Sequence, residues 1–508
     1  MPRQEKVLPL ADLQVVAERA RQEGRRVVLC HGVFDLMHPG HVLHLKAARQ
    51  HGDVLMVTLT ADEFVHKGPG RPAFNQRLRL ETVAALECVD YVALNEWSTA
   101  VETIRLLRPH AYVKGTDYAD PADDLTGKIV EEKEAVRAVG GRIIFTDEES
   151  FSASNLINEH FSRLPANTDA FLRGFRRRCS REEVIGVLKG LQEVSVLVVG
   201  EAILDKYSYC TPLGKSPKET IIATKYASEE RFPGGVLAIA NHLAGFCGRV
   251  TLVTCLGQDG PEADFIRSKL HPRVQLHAVP TKERGTIVKQ RFVDPTFLAK
   301  MFEIQYLDDR PIPAEVESEV RSLLKDHLPE HDLVLVADFG HGLLTDPTRE
   351  LICSSDRFVA LNTQTNSANL GFNVVTKYPR ADYVCLHEGE VRLAARTQYG
   401  ELRAMAEGLR SRLKADHLMV TRGPRGSVLL QGNGRAEETP AFSVQVVDRT
   451  GAGDALFSVT APCVYRGCSP EVVGFVGNCV GALAVETVGN KEPVDPRTLQ
   501  KFIGHLMM

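Results

Sequence analysis

The stretch Val446–Phe457 reads VVDRTGAGDALF and indicates how the C-terminal half of this 508-residue chain folds. Its valines predict a strand that leads into a glycine-rich turn, and the apolar residues from Ala455 predict a helix directly after that turn. Glycine lacks a Cβ, so backbone N–H groups in such a turn can approach a phosphoryl group closely. Asp454, at the start of the helix, can accept the proton of an attacking hydroxyl. A helix-capping aspartate after a tight turn is the plainer structural alternative.

Apolar runs alternate with helical stretches on both sides of a central segment, and this alternation predicts parallel sheets with crossover helices. The C-terminal series of predicted strands is Ser195–Gly200, Val250–Cys255, Leu333–Ala337, Phe358–Leu361, Tyr383–Leu386, Leu418–Thr421 and Ser427–Leu430. The N-terminal series is Val27–Cys30, Val54–Leu59, Tyr91–Leu94, Ala111–Lys114 and Arg142–Thr146. The chain is therefore predicted to hold two α/β domains in tandem.

The segment between the two series, residues 165–193, is rich in arginine and contains an amphipathic stretch, Glu182–Leu191. We interpret it as a linker followed by a lead-in helix, and we favour a solvated surface over a phosphate or RNA patch. The predicted domains are thus residues 1–164, a linker and helix over 165–193, and residues 194–508. The arginines of this segment are Arg173, Arg176, Arg177, Arg178 and Arg181.

The composition is typical of a globular protein, with 44% hydrophobic and 25% charged residues and a formal net charge of −4. This charge gives no electrostatic reason to expect nucleic acid or an anionic membrane as a partner. No apolar run of about 18 residues predicts a membrane span, and the first ten residues do not read as a signal peptide. The eleven cysteines are scattered singly, as is typical of reduced thiols, and we expect a cytoplasmic protein.

A second informative stretch is Val27–His41, VVLCHGVFDLMHPGH. An apolar strand ends at His31-Gly32, and Pro39 suits the first turn of a helix. His38 and His41 are three residues apart and face the same side of that helix. Because a helix N-terminus attracts phosphate, two imidazoles there can donate hydrogen bonds to a triphosphate and to the charge that develops at its α-phosphate.

The VVDRTGAGDALF stretch closely resembles the second signature of the ribokinase (PfkB) family of carbohydrate kinases. The resemblance implies a ribokinase-like fold, with Asp454 as the catalytic base and an anion hole formed by three residues of the turn. Other stretches resemble the heptose-phosphate kinase branch over roughly residues 195–500, and by this resemblance Asp205 ends the first strand and contacts the sugar. The anion-hole residues are Gly451, Ala452 and Gly453; the other expected substrate-binding residues are Gly234, Gly235, Lys289, Arg291 and Asp338; and Thr421 and Gly423 lie on the nucleotide side.

Two positions depart from that family pattern. Ala238 stands where relatives place a sugar-binding asparagine, and Asn241, one turn further, is the expected replacement. His387 replaces the asparagine of the NxxE motif, whose glutamate, Glu390, is expected to act on Mg²⁺ through water. Because the glycine turn and Asp454 are present, we expect the domain to be an active kinase.

The Val27–His41 stretch resembles the HxGH signature of the nucleotidyltransferase superfamily, which implies a Rossmann-like fold with His38 and His41 as catalytic residues. Three further segments resemble motifs of the same superfamily in the same order: a basic loop, a strand end that reads KGTDY, and a serine-rich helix start. The nucleotide- and phosphate-binding residues expected from these motifs are Gly32, Phe34, Asp35, Lys67, Arg71, Arg77, Lys114, Gly115, Ser152 and Ser154.

Between the kinase motifs, Asn362–Asn373 (NTQTNSANLGFN) is unusually rich in side-chain amides. Asn and Gln provide both donors and acceptors, as a polyol or the edge of a base requires. A polar loop explains the pattern equally well, so the sequence leaves both interpretations open.

The two resemblances together imply a fused heptose-phosphate kinase and nucleotidyltransferase, with the usual domain order inverted. Such an enzyme phosphorylates a sugar or sugar phosphate and then joins the sugar 1-phosphate to a nucleoside monophosphate. The resemblance further implies Mg²⁺ at both sites, ATP as phosphoryl donor, ATP or CTP as nucleotidyl donor, K⁺ as a further candidate ion, and a homodimer. Two alternatives stay open: a kinase fold that only senses sugar, and a CTP-dependent transferase that makes a CDP-alcohol.

Overall fold

The computed structural model describes residues 6–65, 72–115, 128–146, 165–258, 260–282, 284–443 and 446–508. The chain divides into two compact units, one of Met1–Pro165 with Gln500–Met508 and one of Ala166–Leu499. We refer to them as unit 1 and unit 2. Within the described part of the chain, no helix is long and apolar enough to cross a membrane.

Unit 1 contains a five-stranded parallel sheet in the order β3-β2-β1-β4-β5, a Rossmann-like arrangement that confirms the predicted fold class. All five predicted strands are present. The described strands are β1 (Val27–Gly32), β2 (Val54–Thr60), β3 (Tyr91–Asn95), β4 (Ala111–Gly115) and β5 (Arg142–Thr146). The described helices are α1 (Leu10–Gln22), α2 (Pro39–Arg49), α3 (Gln76–Ala84), α4 (Val101–Leu107) and α5 (Lys128–Ala138).

Both faces of this sheet are buried, which explains why its strands read as continuous apolar runs. Alternate residues of β1 enter two different clusters: Val27 and Leu29 belong to one, and Val28 and Cys30 to the other. Burial raises the pKa of the Cys30 thiol well above its ordinary range. Cys30 is therefore a core residue of β1, as the sequence predicted.

Unit 2 is built on a nine-stranded sheet in the order β10-β9-β6-β13-β14-β15-β16-β17-β18. The pairs from β10 to β16 are parallel, and β17 and β18 add antiparallel strands at one edge. Its strands are β6 (Ser195–Gly200), β9 (Arg249–Gly257), β10 (Val274–Thr281), β13 (Leu333–Asp338), β14 (Phe358–Thr363), β15 (Tyr383–His387), β16 (His417–Thr421), β17 (Ser427–Gln431) and β18 (Ala436–Thr439). All seven predicted strands of this series are confirmed.

Several helices of unit 2 contact strands of this sheet. The described helices from Ala166 onward are α6 (Ala166–Arg178), α7 (Arg181–Gly190), α8 (Val236–Phe246), α9 (Pro261–Lys269), α10 (Ala314–His327), α11 (Asp346–Cys353), α12 (Glu388–Ala394), α13 (Leu402–Arg412), α14 (Ala452–Tyr465), α15 (Pro470–Ala484) and α16 (Pro496–Leu506). Helix α16 spans the division between the units, because Gln500–Met508 are grouped with unit 1.

A second, four-stranded sheet in unit 2 was not predicted from the sequence. Its order is β12-β11-β7-β8, and its strands are β7 (Ala202–Lys215), β8 (Ile222–Gly235), β11 (Ile287–Asp294) and β12 (Ala299–Tyr306). The expectation that Asp205 ends the first strand is therefore wrong. Strand β6 ends at Gly200, and Asp205 lies in β7, which belongs to the second sheet.

The predicted strand at the start of the Val446–Phe457 stretch is also absent. The N–H groups of Val447 and Asp448 both donate to the carbonyl oxygen of Val485, at 2.8 and 3.1 Å, so this segment makes no strand ladder. The helix that follows begins at Ala452, three residues before the predicted start.

The arginine-rich segment is folded into helices α6 and α7, and both belong to unit 2. Phe175 of α6 stacks on Phe475 of α15 with ring centres 4.3 Å apart, and Arg178 forms a 2.8 Å ion pair with Glu471. A capping box between Ser180 and Glu183 starts α7, the predicted lead-in helix.

Candidate active sites

The glycine turn of unit 2 lies directly before helix α14. Gly451 caps this helix with φ +82°, and a Cβ there would lie 1.8 Å from the side-chain oxygen of Asn490. A residue with a side chain would thus meet both backbone strain and a clash. At Gly453 a Cβ would meet no atom within 4 Å, so this side of the turn is open. Because the first N–H groups of a helix lack intrahelical partners, the open turn can present amides to a phosphate.

Asp454 lies in the first turn of α14 and is 8% exposed. One of its carboxylate oxygens accepts a hydrogen bond from the side-chain amide of Gln364. Burial raises the pKa of the Asp454 carboxyl to about 7; the carboxylates of Asp205 and Glu390 add to the rise, while Gln364 and Lys289 oppose it. A carboxyl group with such a pKa is suited to accept a proton near neutral pH.

The second sheet supplies a charged group that acts on Asp454. Asp205 of β7 is paired in register with Lys289 of β11, and Arg291 donates a hydrogen bond to Asp205. Arg291 also forms a 2.8 Å ion pair with Glu303 of β12. Burial lowers the pKa of Lys289, whereas the nearby Asp205 raises it. The sequence-predicted residues Asp205, Lys289 and Arg291 are thus brought together on neighbouring strands.

The glycine pair at the end of β8 explains how Asp205 fits there. A Cβ on Gly234 would lie 2.2 Å from a carboxylate oxygen of Asp205, so a larger residue would displace that side chain. Gly235 has φ +55° and caps helix α8, and its Cβ would lie 2.6 Å from the carbonyl oxygen of Glu201. Both glycines are needed for the close approach of β7 and β8.

Asp448, three residues before the glycine turn, connects that turn to the second sheet. Its carboxylate accepts hydrogen bonds from Lys300 of β12 and from the hydroxyl of Tyr207 of β7, each at 2.6 Å. The N–H and hydroxyl of Thr450 and the N–H of Gly489 also donate to it, each at 3.0 Å. Although burial alone would raise it, these bonds lower the pKa of Asp448 to about 2. Sequence reasoning missed Asp448, Tyr207 and Lys300.

Asp338, predicted to bind substrate, is 1% exposed at the end of β13. Its carboxylate accepts hydrogen bonds from the N–H of Gly340 at 2.9 Å and from the hydroxyl of Tyr378 at 2.6 Å, and it lies 2.6 Å from the ammonium of Lys377. The nearby Glu201 carboxylate accepts the N–H groups of the same turn, and burial raises its pKa to about 7. In this structure Asp338 therefore holds the turn that follows β13.

The amide-rich loop is held by its own side chains. Asn366 and Asn369 donate to the carbonyl oxygen of Phe339 at 2.9 and 2.8 Å. Asn373 donates to the carbonyl oxygens of Asp338 and Gln364 at 2.9 and 3.0 Å. The structure thus favours the polar-loop interpretation for these three asparagines, while Gln364 reaches Asp454.

His387 caps the N-terminus of α12. Its ring nitrogen accepts the N–H of Gly389 at 3.1 Å, and Glu390 accepts the N–H of His387 at 2.7 Å, which forms a capping box. Glu390 also accepts the N–H of Thr365 at 3.2 Å, and burial raises its pKa to about 7. The replacement of asparagine by His387 therefore leaves the position of Glu390 well defined.

Four further predicted positions of unit 2 lie in or next to β16 and α8. Thr421 ends β16, and Gly423, with φ +56°, lies in the turn that follows. Ala238 is buried in helix α8. Asn241 donates to the carbonyl oxygen of Lys269 at 3.0 Å and accepts the N–H of His271 at 2.8 Å. Since both ends of this amide hold the loop before β10, Asn241 is not free to replace the missing sugar-binding asparagine.

In unit 1, helix α2 begins at Pro39 as predicted, and His38 is its N-cap residue. The rings of His38 and His41 lie 3.9 Å apart, and the ring of Phe34 lies 5.3 Å from that of His41. Phe34 has φ +50° and covers the Cα of Gly32, where a Cβ would lie 3.1 Å from the ring. Burial lowers the pKa of His38, so its imidazole is neutral at pH 7.

A buried arginine, Arg79, donates hydrogen bonds to the loop between β1 and α2 and to the segment after β2. Arg79 is 1% exposed and donates to the carbonyl oxygens of Val33 and Thr60, at 2.5 and 2.8 Å, and to the carboxylate of Asp62 at 2.6 Å. Asp35 accepts the N–H of Phe74 at 3.1 Å. The predicted Arg77 is exposed and pairs with Glu81 at 2.9 Å. Lys67 and Arg71 lie outside the described residues.

Lys114, at the end of β4, forms a 3.1 Å ion pair with Glu132, which also accepts the hydroxyl of Tyr112 at 3.0 Å. Although burial opposes the change, Lys114 lowers the pKa of Glu132. His44, one turn after His41, contacts Thr146 at 2.7 Å, and burial together with Lys114 lowers its pKa to about 4. Gly115 follows Lys114 in β4, whereas Ser152 and Ser154 lie outside the described residues.

Two family models match the chain over separate segments. The model described as cytidylyltransferase-like matches residues 29–159, and the model described as the pfkB family of carbohydrate kinases matches residues 367–497. The chain joins a cytidylyltransferase-like domain to a pfkB-family kinase domain. The cytidylyltransferase-like domain comes first, which agrees with the inverted order inferred from the sequence.

The curated relatives match the cytidylyltransferase-like domain. The bifunctional protein HldE of Trichlorobacter lovleyi is 41% identical over 152 residues, which is 29% of this chain and 29% of that protein. The bifunctional protein HldE of Syntrophotalea carbinolica is 38% identical over 154 residues, 30% of each. The matched region thus spans about 30% of the length of these relatives.

Solved structures match the larger part of the chain. Ribokinase from Thermotoga maritima covers 61% of this chain and 99% of its own, with 18% identity and a TM-score of 0.47. Phosphofructokinase-2 from Escherichia coli covers 62% of this chain and 99% of its own, with 15% identity and a TM-score of 0.49.

Sequence motifs did not identify several residues that the structure places in the two sites. In the cytidylyltransferase-like domain, His44 continues the three-residue spacing of His38 and His41, so that spacing could have identified it. Arg79 differs from Arg77 only in its face of helix α3, which sequence spacing does not reveal. In the pfkB-family domain, Gln364 was named only as part of an amide-rich loop.

Proposed function

We propose that the pfkB-family domain transfers the γ-phosphoryl group of ATP to a hydroxyl of a sugar or sugar phosphate. The observation that carries this proposal is the buried carboxylate of Asp454 in the first turn of α14, next to an open glycine turn. Asp454 takes the proton of the acceptor hydroxyl, whose oxygen attacks the γ-phosphorus as the bond to ADP breaks. Amides of Gly451–Gly453 stabilise the charge on the transferred group.

Asp205 and Lys289 are proposed to hold the acceptor, because they lie on neighbouring strands and both act electrostatically on Asp454. A carboxylate accepts sugar hydroxyls and an ammonium donates to them or to a phosphate group. Arg291, already bonded to Asp205 and Glu303, fixes the orientation of Asp205.

Mg²⁺ fits this site as a nucleotide-bound ion. Among the described residues no group of three or more His, Cys, Asp or Glu could hold a metal, and Mg²⁺ usually keeps several waters and phosphate ligands. Glu390, buried and held by two backbone N–H groups, is the residue proposed to bind one of those waters. The ion would neutralise charge on the phosphates of ATP.

We further propose that the cytidylyltransferase-like domain joins a sugar 1-phosphate to a nucleoside monophosphate from ATP or CTP. A phosphate oxygen of the sugar 1-phosphate attacks the α-phosphorus, and the bond to pyrophosphate breaks. His38 and His41, whose rings lie 3.9 Å apart at the N-terminus of α2, donate hydrogen bonds to the charge that develops there. The resemblance of the kinase motifs to heptose-phosphate kinases makes ATP and a heptose 1-phosphate the first substrates to test.

The test is direct product analysis. The purified protein is incubated with Mg²⁺, ATP or CTP, and a panel of heptose and hexose phosphates, and the products are identified by mass. We expect a phosphorylated sugar and ADP from the kinase, and a nucleotide sugar and pyrophosphate from sugar 1-phosphates. A sugar that binds without phosphoryl transfer would instead favour the sensing alternative. Formation of a CDP-alcohol from CTP and an added alcohol phosphate, with release of pyrophosphate, would favour the CTP-dependent transferase alternative.

The remaining expectations can be tested with the same protein. Replacing K⁺ by Na⁺ in the kinase assay tests the proposed monovalent-ion requirement. Light scattering tests the proposed homodimer, and fractionation of cells that produce the chain tests the proposed cytoplasmic location.

A further inference from the structure

Gln364 lies at the carboxyl end of β14 and reaches the candidate base of the kinase site. Its side-chain amide donates a hydrogen bond to Oδ1 of Asp454. No other side chain of the described residues is seen to bond either carboxylate oxygen of Asp454, so Oδ2 is available to a ligand. With Asp454 only 8% exposed, this one bond decides how the carboxylate is turned.

The backbone around Gln364 is fixed from three sides. Its N–H donates to the carbonyl oxygen of Asp338 at 2.9 Å, and its carbonyl oxygen accepts the amide of Asn373 at 3.0 Å. Asn373 itself donates to the carbonyl oxygen of Asp338 at 2.9 Å, and the N–H of Thr365 donates to Glu390 at 3.2 Å. Strand β13, the amide-rich loop and helix α12 therefore all position Gln364.

The chemistry of an amide suits this position. Asp454 faces two further carboxylates, Asp205 on β7 and Glu390 on α12, and one ammonium, Lys289 on β11. A cation in place of Gln364 would hold Asp454 as a permanent ion pair and weaken it as a base, and an acid would repel it. An uncharged donor orients the carboxylate and lowers its basicity less than a cation would.

We propose that Gln364 is a positioning residue of the kinase site, which orients the carboxylate of Asp454 so that Oδ2 faces the acceptor hydroxyl. The proposal rests on the proposed kinase function. It also gives one side chain of the amide-rich loop a function: Asn373, which donates to the carbonyl oxygen of Gln364 at 3.0 Å, holds the backbone that carries Gln364 to the base.

The test compares Gln364→Leu with the wild-type protein in a steady-state kinase assay. We expect kcat to fall about 10- to 100-fold while KM for ATP and for the acceptor changes less than about threefold, because only the orientation of a base is lost. Gln364→Glu keeps the shape of the side chain and tests the same point if the leucine variant folds poorly. It is expected to lose at least as much, because two carboxyl groups then face each other. Nucleotidyl transfer and thermal melting report whether each variant is folded.

A double-mutant cycle separates positioning from general support of the loop. In an Asp454→Asn background, assayed with radiolabelled ATP, Gln364→Leu should cause no further loss, since it acts only through that carboxylate. Asn366→Leu is the matched control: Asn366 is an amide of the same loop that bonds Phe339 and not Asp454, and any loss it causes should persist in the Asp454→Asn background.

Wild-type kcat in Gln364→Leu, or equal losses in both backgrounds, would overturn the positioning role. A wild-type protein that transfers no phosphoryl group to any sugar would instead overturn the proposed function, so the two failures are distinguishable.

Discussion

At both candidate sites a helix begins beside a glycine. The side chains at the start of the two helices differ in charge and in surroundings. At α2 the rings of two imidazoles, His38 and His41, lie 3.9 Å apart. At α14 a single carboxylate, Asp454, is buried and held by one amide. Imidazoles are suited to donate hydrogen bonds to a charged phosphate, whereas a buried carboxylate is suited to accept a proton. The helix N-terminus therefore indicates a phosphate site, and the adjacent side chain indicates the reaction.

The two sites also differ in what supports them. Behind the α2 site lies a buried cation, Arg79, with three backbone carbonyls and Asp62 as partners. Before the α14 site lies a buried anion, Asp448, on which groups from two strands of the second sheet and from the glycine turn converge. Each support can be removed without touching the proposed reacting groups.

The largest effect is expected for Arg79→Met. This change leaves the Asp62 carboxylate and three carbonyl groups without their donor, which should lower the free energy of unfolding of unit 1 by about 3 kcal/mol. Arg77→Met, on the same helix but exposed, is the matched control and should change it by less than about 0.5 kcal/mol. Urea denaturation followed by circular dichroism measures both. Equal stability of the two variants would show that Arg79 does not support the loop.

The second-largest effect is expected in the pH dependence of the two activities, which should differ between the kinase and the transferase. Asp454 must be ionised to accept a proton, and its pKa is raised to about 7 by burial, so kinase kcat/KM should fall about tenfold per pH unit below 7. The transferase should lack this fall between pH 7 and 6.5, because burial lowers the pKa of His38 and keeps it neutral. Parallel profiles for the two reactions would contradict the assignment of Asp454.

A smaller loss is expected for Lys300→Met. The ammonium of Lys300 bonds Asp448 at 2.6 Å and is about one-third exposed, so its removal should cost roughly 1 to 2 kcal/mol. Because Asp448 holds the glycine turn, kinase kcat/KM should fall about tenfold, and nucleotidyl transfer should be unchanged. Lys225→Met, an exposed lysine of the same sheet, is the control. A kinase rate equal to that of the control would rule out a role for the ion pair.

The smallest effect is expected for His387→Asn. Asparagine can accept the same N–H of Gly389 that His387 accepts, so kinase activity should stay within about threefold of the wild type. His387→Ala removes the cap and should destabilise α12 by about 1 kcal/mol. If asparagine raised the kinase rate by more than about tenfold, His387 would be a weakening substitution instead of an equivalent cap.

The sequence predicted the parallel sheets well because their strands are buried on both faces. Val54–Thr60 is an example: every residue is buried and the run is apolar, so little else could form there. The second sheet was missed because charged and polar residues interrupt the apolar residues of β7 and β8, and the halves of these strands next to the turn that joins them are mostly exposed. Strands β7 and β8 pair with each other as a hairpin, but the pairing of β7 with β11 joins distant segments of the chain and has no local signal.

The site residues divide in the same way. Asp454 and the histidine pair follow glycine- and proline-marked turns, which spacing reveals. Gln364 and Lys300 reach their partners from strands 90 and 148 residues away from Asp454 and Asp448, and only the folded chain brings these pairs together. From the sequence, the side-chain amides of Asn362–Asn373 could equally well bind a ligand or hold the backbone of their own loop. The geometry of the described residues decides between these uses.

The most direct test of two separate sites is a pair of reciprocal variants, Asp454→Asn and His38→Ala, each assayed for both reactions. Asp454→Asn should lower phosphoryl transfer by about 10²- to 10³-fold and leave nucleotidyl transfer unchanged, and His38→Ala should do the reverse. Loss of both reactions in either folded variant would contradict the account.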